Sequence, residues 1–416
     1  MENDQNTNIT ENLREHIGTL IKDSHYARIL AIDKAPYLDS FIRGESAPPF
    51  EIEIQPSSRC NLKCHWCIGA EIQAQNHVLD LPNSINADNI GRIIEGILET
   101  RKNGLGVEIV KFSGFIGEPL VRKEVVLSAI QRLVCAGINV GLFTNGVLMT
   151  EETWETLANI AYVHVSLDAG PRSFSPCKEN KAQDAPCATD TFYRILENIR
   201  GLDRQRKKTG WRKKMNINVG YVVTNGNHDD IYETSRLVRE AGANLIRFKC
   251  DIAGEFDQYK TNVLNKAFAQ IEQAQADFHT PPEFSVIAIH SRDDAENKTF
   301  ANWRCSSGCH FQHFCTTIGS DGNVYLCDHN TMPGAVPLGN AINQAFDSIW
   351  DSKLRRYLVN GTEHICRSGV CPPFGCKVNA FLAEIIGLRE IHGAETVITA
   401  LQLLRNEAMI IKEVTR

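Results

Sequence analysis

An α/β fold is predicted for this 416-residue chain: a partial (β/α)6 barrel of the TIM type, a small cysteine-rich C-terminal domain, and flanking helices. Three features carry that expectation. Six short β-branched stretches alternate with amphipathic ones between about residues 50 and 255. Cysteines crowd into residues 305–376, and both ends of the chain have helical spacing of apolar residues. Strand, helix, strand at this spacing makes parallel strands joined by crossovers.

In chain order, residues 1–49 read as a helical extension, with Leu13, Ile17, Leu20 and Ile21 on one stripe. The barrel, 50–255, has six strands: FEIEIQPS from Phe50, VEIVKFSG from Val107, INVGLFTNG from Ile138, YVHVSLDAG from Tyr162, NINVGYVVTNG from Asn216 and NLIRFKCD from Asn244. Amphipathic segments such as NIGRIIEGILET and IYETSRLVREAGA separate them. In such barrels chemistry gathers where strands end. Residues 256–300 read as a helix and a linker. The stretch 301–380 is cysteine-rich and contains a hairpin, TTIGSDGNVYLCDHN, with Asp-Gly turn chemistry. Residues 381–416 return to helical spacing.

Composition narrows the function. With 43% hydrophobic and 23% charged residues the chain is globular rather than disordered. A net charge of -6 gives no reason to expect nucleic acid or an anionic membrane as partner. The start, MENDQNTNITEN, lacks a basic end followed by an apolar stretch, and no apolar run approaches the ~18 residues of a membrane span. A cytoplasmic protein is expected. In a reducing compartment fourteen cysteines point to metal binding or redox chemistry, not to a disulfide framework.

Cys60, Cys64 and Cys67 stand in SSRCNLKCHWCIGAE, immediately after the first strand. A loop at this spacing can aim three thiolates at one centre. A tetrahedral zinc site wants four ligands, and nothing at zinc-finger spacing completes this one. Three thiolates suit an iron–sulfur cluster in which one iron lacks a protein ligand, leaving it open to a small molecule.

CNLKCHWC resembles the Cx3CxΦC signature of the radical S-adenosylmethionine (SAM) enzymes, with Trp66 as the aromatic residue beside cluster and adenine pocket. The resemblance implies a [4Fe–4S] cluster whose fourth iron is chelated by SAM. It also implies reductive cleavage to a 5′-deoxyadenosyl radical that abstracts substrate hydrogen. KFSGFIGEPL is similar to the family's GGEP motif, implying Gly117, Glu118 and Pro119 at the SAM amino group. Phe115 and Ile116 depart from that motif, standing where glycines are usual. A buried carboxylate is the expected partner for an ammonium; Glu118 capping the next helix is the simpler alternative. By the same resemblance Thr144 and Asn145 face the mouth, Ser166 and Asp168 touch SAM ribose or carboxylate, and Val222 and Val223 lie against adenine. Each of these strand-end residues read singly is a turn residue; their order after the cysteine loop is what joins them.

Cys309, Cys315 and Cys327 resemble the opening of the SPASM or twitch extension, which implies one or two auxiliary [4Fe–4S] clusters. Cys366, Cys371 and Cys376 follow at a spacing that differs from the SPASM pattern, and Cys305 is a weaker seventh candidate. One cluster on Cys309, Cys315, Cys327 and a cysteine of the final trio is the favoured arrangement; two clusters with an open iron also fit. His310, His313, His329 and His364 keep a zinc ribbon chemically open.

Cys250 ends the sixth strand, where a barrel side chain facing the cavity could return hydrogen to a substrate radical; packing is the even alternative. DRQRKKTGWRKK, 203–214, is either a solvated face or a dock for a flavodoxin- or ferredoxin-type reductant. The reading that results is dehydrogenation or epimerisation of a small-molecule natural-product intermediate, sugar- or aminocyclitol-like. The 49 residues before Phe50 are few for a peptide-binding domain. A peptide maturase, making thioether or carbon–carbon crosslinks or epimerising a peptide, is the alternative, and a non-catalytic electron-transfer protein the remote one.

Overall fold

A computed structural model describes residues 2–22, 24–64, 66–67, 69, 84–114, 117–179, 190–209, 215–250, 262–290, 309–327, 331, 335–360 and 373–414. Three helices precede the sheet: α1 (Glu2–Lys22), α2 (His25–Arg28), which runs on through a π-helical turn at Ile29–Asp33, and α3 (Ala35–Arg43). α3 ends on Gly44, whose φ of 73° is the left-handed conformation that a helix stop needs.

The sheet has ten strands: β1 (Glu51–Ile54), β2 (Ile109–Phe112), β3 (Asn139–Thr144), β4 (Tyr162–Ser166), β5 (Asn216–Val223), β6 (Leu245–Cys250), β7 (Ser285–Ala288), β8 (Cys315–Ile318), β9 (Asn323–Tyr325) and β10 (Gly339–Asn340). β1 to β7 lie side by side in sequence order and run parallel. The helices between them are α4 (Ile90–Glu99), α5 (Lys123–Cys135), α6 (Glu151–Leu157), α7 (Asp190–Lys208), α8 (Ile231–Glu240) and α9 (Val263–Phe278). All six expected strands form. A seventh, β7, extends the parallel set inside 256–300, where only a helix and a linker were expected. Its four residues follow Pro281 and Pro282, too short a run to stand out from the sequence.

The expected hairpin forms as β8 and β9, its turn carrying Gly322 at a φ of 76°. The hairpin does not sit apart from the barrel: β8 pairs in parallel with β1, Glu51 opposite Cys315. An edge strand exposes unpaired backbone groups, and β8 satisfies them. Short helices α10 (Phe346–Trp350) and α11 (Lys353–Asn360) follow, then α12 (Pro373–His392) and α13 (Ala394–Val414).

Alternation along the strands sorts the side chains. Ile52, Ile54, Val110, Phe112, Leu142, Val163, Val165, Val219, Ile246 and Phe248 turn outward and are buried under the helices. The other parity faces the lumen in rows. Glu53, Lys111, Gly141, Tyr162 and Asn216 form one row. Phe143, His164, Asn218 and Leu245 form the next. Ser166, Gly220, Arg247 and Ile287 lie above them, and Val222 pairs with Lys249 nearest the mouth. Lys111 Nζ bridges Glu51 and Glu53 at 2.9 and 3.2 Å. A lumen so lined is hydrophilic, unlike the apolar layers that fill a closed barrel.

The two ends of the chain share a second core. Leu13 and Ile17 of α1, Leu38 and Ile42 of α3, Phe381 and Ile385 of α12, and Val397 and Leu401 of α13 pack together with Phe50 and Phe314. Phe50 and Phe314 flank β1 and β8, so this bundle braces the edge where the hairpin joins the barrel. Ile17→Ala, removing a fully buried side chain, is expected to cost about 2–4 kcal/mol, read as a lower denaturant midpoint. An unchanged midpoint would show that the terminal helices contribute nothing to the folded state.

Candidate functional site

The loop after β1 carries the three thiols. Ser57 and Ser58 are buried, and Cys60, Cys64 and Cys67 are partly buried. The Cys60 Sγ accepts from the Leu62 amide at 3.4 Å and from Asn145 Nδ2 at 3.8 Å. Burial pushes the Cys60 thiol up to about 11 against the Leu62 amide, with Glu118, Cys64 and Cys67 adding to the rise. Cys64 is raised by burial and by Asp168 and Cys67, against the pull of Lys178. The three sulfurs therefore feel one another. Among the described residues, no set of three His, Cys, Asp or Glu side chains could hold a metal ion. Three thiols this close to one another fit a multi-iron cluster, in which each cysteine meets a different iron. Deprotonating buried thiols also calls for the positive charge such a cluster supplies.

The turn after β2 is pressed against that loop. A Cβ on Gly117 would come within 2.1 Å of the Ser57 carbonyl, so only glycine fits. The Glu118 amide donates to Arg59 O at 2.8 Å. Glu118 is 2% exposed. One carboxylate oxygen accepts from the Leu120 amide at 3.0 Å and the Thr144 hydroxyl at 2.7 Å; the other accepts from the Asn145 amide at 2.7 Å. Glu118 thus does cap the turn that Pro119 opens. Three donors still leave acceptor capacity on the second oxygen. Burial raises its proton affinity although those donors oppose it. Asn145 ties the parts together, its Nδ2 donating to Asn61 Oδ1 at 2.8 Å. Phe115 and Ile116 lie outside the described residues.

A second charged group sits across the mouth. Asp168, just past β4, has a φ of 51°, a left-handed conformation that Asp tolerates. Its Oδ1 accepts from the Val222 amide at 3.0 Å and its Oδ2 from Lys178 Nζ at 3.1 Å. Lys178 is buried, and its ammonium also donates to Ser166 O at 2.9 Å. It lies 5.9 Å from the centroid of the Trp66 ring. Burial alone would lower the Lys178 proton affinity; Asp168 and Cys64 outweigh it and the net shift is upward. Sequence reasoning missed Lys178. It lies on a π-helical turn, Ser175–Glu179, in a segment with no periodic signal, and no motif marks it.

Of the C-terminal candidates, Cys309 precedes a 3₁₀ turn, Cys315 opens β8 and Cys327 follows β9. All three are partly buried. Cys305, Cys366 and Cys371 lie outside the described residues, as do His329 and His364, and Cys376 stands on α12 without a described side chain. His313 is held down to about 3 by burial, with Arg355 and His310 adding to the effect.

Two expectations are corrected. Cys250 does not face the cavity: it shares the outward parity of Ile246 and Phe248. It packs at 5% exposure in a pocket lined by Leu264, Ala267, Phe268 and Ile271 of α9. The strand register that turns Lys249 inward turns Cys250 out. The basic run is not wholly a surface face either, since Arg206 bonds Asp203, Asn244 and the Met215 and Gly242 carbonyls. Residues 210–214 lie outside the described ones.

An open parallel barrel with three thiols after its first strand, and charged groups at the following strand ends, is the architecture of a cofactor-dependent enzyme built around SAM. Residues 54–238 match the family model of the Radical SAM superfamily, and 309–372 that of the SPASM iron-sulfur cluster-binding domain. The chain carries a radical SAM domain followed by a SPASM domain. Its cofactors are a [4Fe–4S] cluster with SAM and auxiliary iron–sulfur clusters.

Among its relatives is GTP 3′,8-cyclase of Staphylococcus aureus, 25% identical over 333 residues, covering 74% of this chain and 90% of that protein. Streptococcus suis SuiB bound to S-adenosylmethionine aligns with a TM-score of 0.51 at 17% identity over 76% of this chain and 65% of its own. The chain thus spans a little under two thirds of SuiB. anSMEcpe with bound AdoMet aligns with a TM-score of 0.52 at 17% identity, over 83% of this chain and 100% of its own. These two structures speak for the fold alone. No helix among the described residues is long and apolar enough to cross a membrane.

Two outcomes follow from the charges. Lys178→Met strands the buried Asp168 carboxylate and should cost about 3–5 kcal/mol, read by chemical denaturation; Asp168→Asn in the same chain should restore part of it. His164 in the lumen is held down to about 3 by burial, with Arg247 and Lys249 adding to it. The unfolded ring gains its proton below about 6.5 while the folded one stays neutral, so stability falls as pH drops through that window. From pH 6.5 to 5 the loss is about 2 kcal/mol, and His164→Gln should flatten that part of a urea-midpoint profile.

Proposed function

We propose that this chain is a radical SAM enzyme that modifies a peptide at an unactivated C–H bond. One observation carries the enzyme reading. The Cys60–Cys67 loop, Glu118 and the Asp168–Lys178 pair meet at the strand ends, joined through Asn145 and Ser166. An electron carrier has no use for a buried carboxylate with a spare acceptor beside its cysteines.

Cys60, Cys64 and Cys67 would hold the cluster that, with SAM bound, supplies a 5′-deoxyadenosyl radical for hydrogen abstraction. Glu118 presents its free acceptor position to the SAM ammonium, held still by Leu120, Thr144 and Asn145. Ser166, Asp168 and Val222 line the side of the mouth where ribose and adenine would rest, and Trp66 closes it. Cys309, Cys315 and Cys327, with a cysteine of the later trio, would hold the auxiliary cluster. The packed helices outside and the braced terminal bundle keep water from the outer face.

A peptide is preferred to the sugar- or aminocyclitol-like substrate on two grounds. The SPASM match supports it, and one fold neighbour, SuiB, was solved bound to its precursor peptide SuiA. The alignment over 90% of a GTP 3′,8-cyclase keeps a nucleotide as the second reading. Epimerisation through Cys250 is not proposed, because that thiol packs outside the lumen.

Reconstituted anaerobically with SAM and dithionite, the protein should release 5′-deoxyadenosine. The Cys60/Cys64/Cys67→Ala variant should not, and Glu118→Gln should bind SAM at least about tenfold more weakly. Intact clusters without SAM cleavage would overturn the enzyme reading. Loss of hydrogen from a candidate precursor peptide, followed by mass spectrometry, tests the substrate.

A further inference from the structure

The lumen wall formed by β4, β5 and β6 holds a guanidinium that forms no ion pair among the described residues. Arg247 stands in one row with Ser166 and Gly220, directly below the Val222–Lys249 pair. It is half-buried, and among the described residues it forms no ion pair or hydrogen bond. Its electrostatic neighbours are, in order, Tyr162, Tyr26 and Asp168. The buried carboxylates described nearby already have partners. Glu51 and Glu53 share Lys111, Asp168 holds Lys178, and Glu118 takes three donors. A partly desolvated cation left over from this pairing is expensive unless something anionic completes it.

Its surroundings suit an oxyanion. The His164 ring feels both Arg247 and Lys249, stays neutral, and so offers one N–H without adding charge. It lies across Gly220, where a Cβ would come within 2.5 Å of its Nε2, so the glycine makes room for the ring on this wall. Lys249 is exposed nearer the mouth, where a cation steers an incoming anion.

We propose that Arg247 and Lys249 form an oxyanion site that seats a carboxylate or phosphate of the substrate and so selects which C–H reaches the mouth. The proposal rests on the radical SAM reading above. Arg247 meets either oxyanion through a planar two-pronged contact, and Lys249 adds charge at the rim. The anion has two sources: the carboxylate of a peptide, or the phosphate of a nucleotide.

The test is isothermal titration of the anaerobically reconstituted holoenzyme, with SAM present, against inorganic pyrophosphate, GTP and a short Asp/Glu-rich peptide. At least one probe should bind. Arg247→Gln should weaken it at least about tenfold, Lys249→Gln about threefold, and Arg247→Lys, which keeps the charge but loses the planar fork, should bind better than Arg247→Gln yet more weakly than the parent. Lys249 is exposed, so its variant keeps the test alive if Arg247→Gln fails to fold. Binding by pyrophosphate and GTP assigns the site to phosphate, and binding by the peptide assigns it to carboxylate.

Three results overturn the proposal: no probe binds the parent, binding is indifferent to these substitutions, or SAM affinity falls in Arg247→Gln by the same factor. In the last case the cation serves SAM. Release of 5′-deoxyadenosine by the same preparation separates the two failures, since it reports the radical SAM reading and is independent of probe binding.

Discussion

The Glu118 carboxylate, sunk between the turn after β2 and the end of β3, is the interaction on which the mouth depends. Among the described residues it forms no ion pair, and it is kept in place by donors from three residues, Leu120, Thr144 and Asn145. Those donors fix the relation of two strand ends to each other. The Glu118 amide in turn holds the cysteine loop through Arg59 O, and Asn145 reaches the same loop through Asn61 and Cys60. A buried carboxylate satisfied this way is costly to move, which makes it a rigid reference for a charged cofactor.

Across the mouth the Asp168–Lys178 pair does the corresponding work for β4 and β5. Asp168 takes the Val222 amide on one oxygen and the ammonium on the other, while Lys178 closes on Ser166 O and leans toward Trp66 and Cys64. Among the described residues the site therefore has a carboxylate held by neutral donors on one side and an ion pair on the other. Such asymmetry suits a zwitterion whose ammonium and carboxylate must point opposite ways. Below the mouth Arg247 forms no ion pair among the described residues, so the charge pattern continues from the strand ends into the lumen.

Much of this arrangement is legible in the amino-acid sequence. The thiols, the acidic residue after the second strand and the strand-end polar groups stand in local motifs, each near a strand whose β-branched pattern is plain. Six strands and the hairpin are legible for the same reason. Lys178 is not, because its partners Asp168 and Cys64 are brought to it by a turn without periodicity. β7 is too short to read, and the docking of β8 on β1 involves residues more than 260 positions apart. Cys250 is misplaced by its sequence position because a strand end says where a residue sits along the barrel, not which way it points; a slip of one residue reverses the face.

The chain by itself determined the alternating parallel architecture, the three-cysteine loop and the chemical class, since each resides in short-range pattern and residue type. Only the tertiary structure decided that the two chain ends form one bundle and that the cysteine-rich hairpin extends the barrel sheet. It also decided that Cys250 turns away from the lumen and that Arg247 faces it with no ion pair or hydrogen bond among the described residues. Those outcomes depend on side-chain direction and on pairings between distant segments, which are settled by packing and by the balance of buried charge rather than by any local sequence.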